Sequence, residues 1–331
     1  ATSTSMLASM WRRNRCAKLR FSPRLVDEFD LIRRYFKCDA RSPGVVVGVG
    51  DDGAVLQSTP GTQQVQVTDT LVEGVHFPAN VKAGDIGHRV VAVNLSDIAA
   101  MGATPRWMTL ALTLWDKDES WVEEFAAGLL GTAAQYGVAL VGGDTTQGDS
   151  VVVTVHVSGE VREGAAILRS GAIPGDTVYV SGTVGDAAAG LEMIRQEISD
   201  AALVQRFLRP TPRIELGRSL SGRAHAAIDV SDGLIADLRK LLDASGRGAE
   251  IDIDRIPLSE ALRARFDLDT AYHFGTSGGD DYELCFTAPA DAVEGIGGIT
   301  AIGTVTEDNA LVCRRDGNIV EVDTSGYRHF A

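Results

Sequence analysis

Among the places where aspartate stands beside glycine, serine or threonine in this chain, six short strings stand out. The strings are Gly50-Asp51-Asp52-Gly53, Thr68-Asp69-Thr70, Asn94-Leu95-Ser96-Asp97, Gly142-Gly143-Asp144-Thr145, Asp229-Val230-Ser231-Asp232-Gly233 and Gly278-Gly279-Asp280-Asp281. Most fall at the expected ends of strands, where α/β and α+β scaffolds carry their chemistry on loops. Any one of them reads equally well as a turn or a helix N-cap, the ordinary occupation of Asp and Gly. Six together point further. If the side chains converge, two unit charges about 4 Å apart repel by about 4 kcal/mol at an effective dielectric of about 20, so the cluster needs counter-cations. Hard oxygen ligands without His or Cys select Mg2+ or Mn2+. Magnesium held by one or two carboxylates keeps positions open for phosphate oxygens, which implies a nucleotide or other polyphosphate substrate.

The overall charge agrees with a cation-recruiting protein. Of 331 residues, 31 are Lys or Arg and 45 are Asp or Glu, a net charge of −14. A general nucleic-acid or anionic-membrane binder is therefore not expected, since such partners reward basic surfaces. Length and 44% hydrophobic content fit two globular domains. No apolar run approaches the ~18 residues of a membrane span. Cys16, Cys38, Cys285 and Cys313 form no C-x-x-C pair, so neither a disulfide framework nor a thiolate metal site is expected, and a cytoplasmic setting follows. Residues 1–25 are set apart by unopposed Arg12, Arg13, Arg15, Lys18, Arg20 and Arg24, and read as a disordered basic leader outside the fold.

From Val26 the spacing of Val26, Phe29, Ile32 and Phe36 predicts a helix, broken at Pro43-Gly44. Short strands are expected over 45–49, 54–57 and 64–68, a long helix over 84–101 stopped by Gly102, a strand over 107–114 and a helix over 120–136. Strands over 137–141 and 151–161 complete a mixed α/β half. Glycine and proline in Ser170–Asp176 mark a boundary, giving an N-terminal domain of 26–169 and a C-terminal domain of 170–331. Beyond it, strands over 177–181 and 226–230 alternate with helices over 187–197, 201–208, 213–220 and 234–244. A hairpin over 311–322 turns at Asp316-Gly317.

Other nucleotide motifs are absent or out of context. The chain has no Gly-Lys dipeptide and hence no P-loop, and no protein-kinase H-R-D or D-F-G string. Gly48-Val49-Gly50-Asp51-Asp52-Gly53 matches G-x-G-x-x-G, but Thr59-Pro60-Gly61 follows instead of a helix, and two aspartates would repel a pyrophosphate. Gly182-Thr183-Val184-Gly185-Asp186 reads as a β-α connection with Asp186 as N-cap. The histidines form no metal-binding pattern, and a Ser-His-Asp hydrolase is not expected.

Taken in order, the strings become recognisable. Val49-Gly50-Asp51-Asp52, Thr68-Asp69-Thr70-Leu71-Val72-Glu73-Gly74-Val75-His76-Phe77, Val93-Asn94-Leu95-Ser96-Asp97-Ile98-Ala99-Ala100-Met101-Gly102-Ala103, Gly142-Gly143-Asp144-Thr145-Thr146, Ile228–Leu234 and Ser277–Leu284 resemble the thiamine-monophosphate kinase family over roughly Val26 to Phe330. The Asn-Leu-Ser-Asp string is shared with the wider aminoimidazole ribonucleotide synthetase-like superfamily. The resemblance implies a two-domain fold: an N-terminal mixed sheet with helices, which pairs with a second copy, and a C-terminal α+β domain. It implies ATP-dependent phosphorylation of thiamine monophosphate to thiamine diphosphate by a cytoplasmic homodimer.

Carried over by motif, Asp52, Thr68, Asp69, Asp97, Asp144, Asp229 and Asp232 would hold several Mg2+ ions. Gly143, Asp144, Arg169 and Ser231 would meet ATP, His76 and Asp280 would meet the thiamine substrate, and Asp97, Asp144 and Arg169 would carry catalysis. Three positions depart from the family pattern: Val67 replaces a frequent Ser, Asp280 a common Glu, and Thr324 an aromatic residue that can stack on the thiamine. The expected chemistry is direct in-line phosphoryl transfer, which needs no general base because the acceptor phosphate is already ionised. Two other readings remain open on the residues alone: another ATP-dependent superfamily enzyme acting on an amide or carbamoyl oxygen, and a non-enzymatic acidic cation-binding module.

Overall fold

A computed structural model of the chain describes residues 28–36, 42–116, 118–198 and 200–327. The basic leader over 1–25 and the residue Val26 lie outside the described residues. In chain order the elements begin with α1 (Glu28–Leu31), which runs into a π-helical turn at Ile32–Phe36. Next come β1 (Val45–Val47), β2 (Val55–Leu56), β3 (Thr62–Val72), α2 (Ala83–Ala100), β4 (Thr104–Leu114), α3 (Glu119–Gln135), β5 (Ala139–Gln147) and β6 (Val152–Arg162). The second half contains β7 (Thr177–Ser181), α4 (Asp186–Arg195), α5 (Ala201–Leu208), α6 (Ile214–Leu220), β8 (Ala226–Asp229), α7 (Leu234–Ser245) and β9 (Gly248–Asp252). It ends with α8 (Glu260–Arg265), α9 (Leu268–Ser277), β10 (Leu284–Ala288), β11 (Ile299–Thr306), β12 (Leu311–Arg315) and β13 (Asn318–Val320).

Two large sheets draw on separate stretches of chain, beside a two-stranded sheet of β1 and β2. The first is four-stranded in the order β3-β6-β4-β5, antiparallel except for the parallel β4–β5 pair. The second is seven-stranded in the order β13-β12-β9-β11-β7-β10-β8, with β12 and β9 parallel. Along the first sheet, Val65 and Leu71 of β3, Val153, Val155 and Val157 of β6, and Leu110 and Leu112 of β4 point into one core. Thr68, Thr70, Thr154 and His156 alternate to the opposite face, as the period of two requires.

Helix α2 is the pivot between the sheets. It is buried nearly all round, with Arg89, Asn94 and Ser96 buried along with its apolar residues. Ile86, Val90, Leu95 and Ile98 share one core with the first sheet and with Tyr179, Ala227, Leu284 and Phe286 of the second. Gly102, at φ +68, ends the helix as the spacing predicts. Its N–H bonds the Ala99 carbonyl and the next N–H, of Ala103, reaches back to Ile98.

The sequence expectations need correcting at three places. Thr68-Asp69-Thr70 and Gly142-Gly143-Asp144-Thr145 lie within β3 and β5, not at strand ends, because both strands run on beyond their apolar residues through ladder bonds to β6 and β4. Asp186 is the first residue of α4 and not its cap. Gly185, at φ +90, occupies the cap position, and the distant Asp281 carboxyl accepts the Gly185 and Ala187 N–H groups at 2.6 and 3.2 Å.

Candidate active site

The first acidic group forms where α2 meets both sheets. Asp69 projects from β3 on the face that carries Leu71, and its backbone N–H donates to the side-chain oxygen of Asn94 at 3.1 Å. Asn94 is wholly buried on α2 and is itself fixed by a 2.9 Å bond to the Val90 carbonyl. One turn further along α2, Asp97 lies close to Asp229, the last residue of β8, so that the two charges act on each other. Burial and the Asp69 charge push the Asp97 carboxyl up to about 7, with the Arg169 guanidinium pulling the other way. Asp229 is raised well above the ordinary carboxyl range, chiefly by burial and then by Asp97 and Asp237. Burial also raises Asp69. Acids from β3, α2 and β8 therefore share one low-dielectric region and oppose one another's ionisation.

The loops after β8 and before β10 are tied side by side. The Asp280 N–H donates to the Ser231 carbonyl, the Tyr282 N–H to the Val230 carbonyl, and the Val230 N–H to the Glu283 carbonyl, each at 2.8 Å. Asp237, nearly inaccessible in the first turn of α7, accepts the N–H groups of Ser231 and Asp232 at 2.9 Å each. Lys240, one turn on, reaches both Asp237 and the Asp232 carboxylate. On the other loop, Asp280 and Tyr282 adopt φ of +72 and +54, a left-handed conformation that costs a non-glycine residue of order 1 kcal/mol or more. The Asp280 carboxylate is ion-paired to the buried Arg89 of α2 and accepts the Tyr282 hydroxyl at 3.1 Å. Tyr282 feels the charges of Asp69 and Asp229 as well as Asp280, so the two acidic groups are neighbours.

Other expected residues stand apart. The Thr68 hydroxyl is engaged by His156 Nδ1 at 2.7 Å on the opposite face from Asp69. Asp144 is exposed on β5, in register with Ala111, Thr154 and Thr70, three strand spacings or roughly 14 Å from β3. Its own Oδ1 accepts the Thr145 N–H at 2.9 Å. Gly143 and Asp144 line a small cavity of about 50 Å³ with Val49, Ile32 and Phe36. Asp52 is exposed in the turn between β1 and β2, next to Asp51, whose carboxylate accepts the Asp52 N–H. His76 closes a turn by accepting the Val72 N–H at Nδ1, 3.0 Å away. Arg169 does not stand apart: it is exposed, its carbonyl is held by the Ser245 hydroxyl, and its guanidinium acts on the Asp97 carboxyl.

Comparison with known proteins decides the family. Residues 50–161 match the AIR synthase related protein, N-terminal domain, and residues 174–315 match the corresponding C-terminal domain. The chain is 46% identical over 321 residues to the thiamine-monophosphate kinase of Escherichia coli strain K12, covering 92% of this chain and 98% of that one. The chain belongs to the thiamine-monophosphate kinase family. The crystal structure of the family member from Stenotrophomonas maltophilia superimposes with a TM-score of 0.78 at 42% identity, over 88% of this chain and 96% of that one. AaThiL complexed with AMPPCP and TMP gives a TM-score of 0.76 at 34% identity, over 94% and 100%. Both superpositions extend over most of this member of the thiamine-monophosphate kinase family.

In this family member the acidic region fits a divalent cation. Buried carboxyls that raise one another's pKa are stabilised by positive charge. Among the described residues no set of three His, Cys, Asp or Glu side chains is gathered closely enough to hold a metal ion by itself. Magnesium commonly takes one or two carboxylates and completes its shell with water and phosphate oxygens. Sequence reasoning passed over Arg89, Asn94, Asp237 and Tyr282, which position the acids and do not belong to the aspartate pattern. An acid in the first turn of a helix that follows Asp-x-Ser-Asp-Gly was the available signal for Asp237. A serine-hydrolase reading fails on context: Gly275-Thr276-Ser277-Gly278-Gly279 does have G-x-S-x-G spacing, but it ends α9, whereas a nucleophile elbow joins a strand to a helix.

Proposed function

We propose that this chain transfers the γ-phosphoryl group of ATP directly to the phosphate of thiamine monophosphate, forming thiamine diphosphate, with Mg2+ as the metal. The observation that carries the reading is the meeting of Asp69, Asp97 and Asp229 from different parts of the chain, in a family whose members are thiamine-monophosphate kinases. AaThiL complexed with AMPPCP and TMP supports a nucleotide and a phosphorylated acceptor as the ligands.

In this reading Asp52, Thr68, Asp69, Asp97, Asp144, Asp229 and Asp232 would hold several Mg2+ ions between them, since Asp52 and Asp144 stand apart from Asp69, Asp97 and Asp229. Bound there, the ions supply charge neutralisation for the phosphates. The Thr68 hydroxyl is committed to His156, and at Val67 a metal contact could come only from the backbone. Gly143, Asp144, Arg169 and Ser231 bind ATP, and Arg169 offsets negative charge beside Asp97. His76 and Asp280 bind the thiamine moiety. No residue needs to remove a proton, because the acceptor oxygen is ionised near neutral pH, so positioning and electrostatics account for the rate.

The open face of the four-stranded sheet supports pairing with a second copy, and residues 26–169 and 170–331 act as the two domains. No helix among the described residues is long and apolar enough to cross a membrane. The acidic charge supports an enzyme without nucleic-acid or membrane partners, and the cysteine pattern supports a cytoplasmic one. The test is incubation with ATP, Mg2+ and thiamine monophosphate followed by chromatography for thiamine diphosphate, with light scattering for the dimer. ATP consumption without thiamine diphosphate would favour a superfamily enzyme acting on an amide or carbamoyl oxygen. Cation binding with no ATP-linked stabilisation would favour a non-enzymatic module.

A further inference from the structure

Arg89 lies on α2 with 2% of its side chain exposed, and it reaches out of the first half of the chain into the second. One guanidinium nitrogen pairs with Asp280 Oδ1, and another donates to the Phe207 carbonyl. The planar group lies over the Phe207 ring, 4.1 Å from its centroid, and 5.5 Å from that of Tyr282. Its position is therefore fixed from three sides by α5, by the strained loop before β10 and by its own helix. Burying an arginine this deeply is costly unless its charge is matched. The matching charge is Asp280.

Asp280 is the one member of this arrangement that reaches solvent, with 30% of its side chain exposed. Its Oδ1 receives two donors, Arg89 and the Tyr282 hydroxyl, while Oδ2 has no hydrogen-bond partner among the described residues. Left-handed backbone at both Asp280 and Tyr282 is retained at an energetic cost, which the cross-chain contacts offset. A carboxylate held on one oxygen presents the other as an acceptor of defined direction. It suits an amino or ring N–H on a heteroaromatic ligand.

We propose that Arg89 is a positioning residue for the acceptor substrate: together with Tyr282 it fixes Asp280 so that Oδ2 accepts a hydrogen bond from the amino-heterocycle of that substrate. This rests on the kinase reading above for the identity of the acceptor. Because Asp280 is shorter than the glutamate common at its position, its placement depends on these two contacts, and Arg89 links substrate recognition to the packing of α2 against the second half.

The test is calorimetric binding of thiamine monophosphate, together with separate KM values for thiamine monophosphate and ATP, on the full chain carrying Arg89→Met, Arg89→Lys, Tyr282→Phe or Asp280→Asn. Arg89→Met is expected to weaken thiamine monophosphate binding about tenfold or more, the scale of a lost hydrogen bond to a charged group, while the KM for ATP moves by less than about twofold. Arg89→Lys recovers part of the loss, and Arg89→Met adds little in the Asp280→Asn background. If Arg89→Met fails to fold, Tyr282→Phe decides, with an expected weakening of about threefold that disappears in the Asp280→Asn background. Equal changes for both substrates, full additivity with Asp280→Asn, or unchanged binding in Tyr282→Phe overturns the proposal. A wild-type chain that binds thiamine monophosphate but makes no thiamine diphosphate overturns the kinase reading alone.

Discussion

Asp97, in the last turn of α2, and Asp229, at the end of β8, lie close enough for their charges to act on each other although they belong to different halves of the chain. Two acids in a shared, poorly solvated region oppose folding and favour cation binding at the same time. Asp97→Asn removes one of these charges. The variant should therefore melt at a higher temperature than the wild type when both are stripped of divalent ions at pH 8. Its turnover should fall by about 100-fold or more, the scale seen when one preorganised electrostatic group is removed. Scanning fluorimetry in chelator, run beside the thiamine diphosphate assay, checks both halves of this expectation. A lower melting temperature would show that the pair is structural.

Asp237 gives a different kind of prediction, because its carboxylate holds the backbone of the loop after β8. Its carboxylate collects the N–H groups of Ser231 and Asp232 and pairs with Lys240. Asp237→Ala strands these buried donors, at a cost of about 1–3 kcal/mol in denaturant unfolding. The freed loop should raise the KM for ATP more than that for thiamine monophosphate, since Ser231 and Asp232 are assigned to the nucleotide and metal side. Initial-rate kinetics with each substrate varied in turn will separate the two effects.

The fold was largely legible because apolar periodicity marks buried faces directly. Helix α2 was expected over 84–101 and runs Ala83–Ala100, and its stop at Gly102 followed from glycine chemistry. What escaped was strand extent. β5 reads as ending at Val141, yet ladder pairing with β4 carries it through Gly143 and Asp144, a tertiary influence that no local pattern encodes. At the site, the acids were legible as residue types in glycine-flanked strings. Which of them meet was not, because Asp69 and Thr68 are neighbours in sequence but point to opposite faces of β3. Arg89 and Tyr282 were invisible for the same reason: their function lies in contacts made across the fold.

Gly143 is where the close approach of β5 to β4 can be tested. A Cβ at this position would lie 1.9 Å from the Leu110 carbonyl oxygen, and its φ of +154 disfavours any other residue. Gly143→Ala should push the two strands apart locally, displacing Asp144 along with them. Destabilisation of about 1–3 kcal/mol is expected, as for an overpacked core position. Hydrogen exchange should show faster exchange in β5 than in β3. Unchanged protection along β5 would mean that the strand accommodates the methyl group without moving.

Glu283 provides the sharpest stability prediction. It is fully buried and anchors a three-way charge cluster, accepting Arg206 at 2.9 Å, Arg213 through its Nε at 2.6 Å and through a second guanidinium nitrogen, and the Ser181 hydroxyl. Removing the acid leaves Arg213 without a counter-charge and Arg206 with only its 3.7 Å pairing to Asp186. Glu283→Ala should therefore cost about 3–5 kcal/mol, the range for breaking one side of a buried ion pair. Gly182→Ala should approach this from the other direction, because its Cβ would lie 2.3 Å from the Glu283 carboxylate at a φ of +56, forcing the acid off its arginines. The two substitutions act on one cluster, so the double variant should be less destabilised than the sum of the singles. Urea titration of the four proteins closes that cycle. Strict additivity would mean that Gly182 acts through its backbone alone.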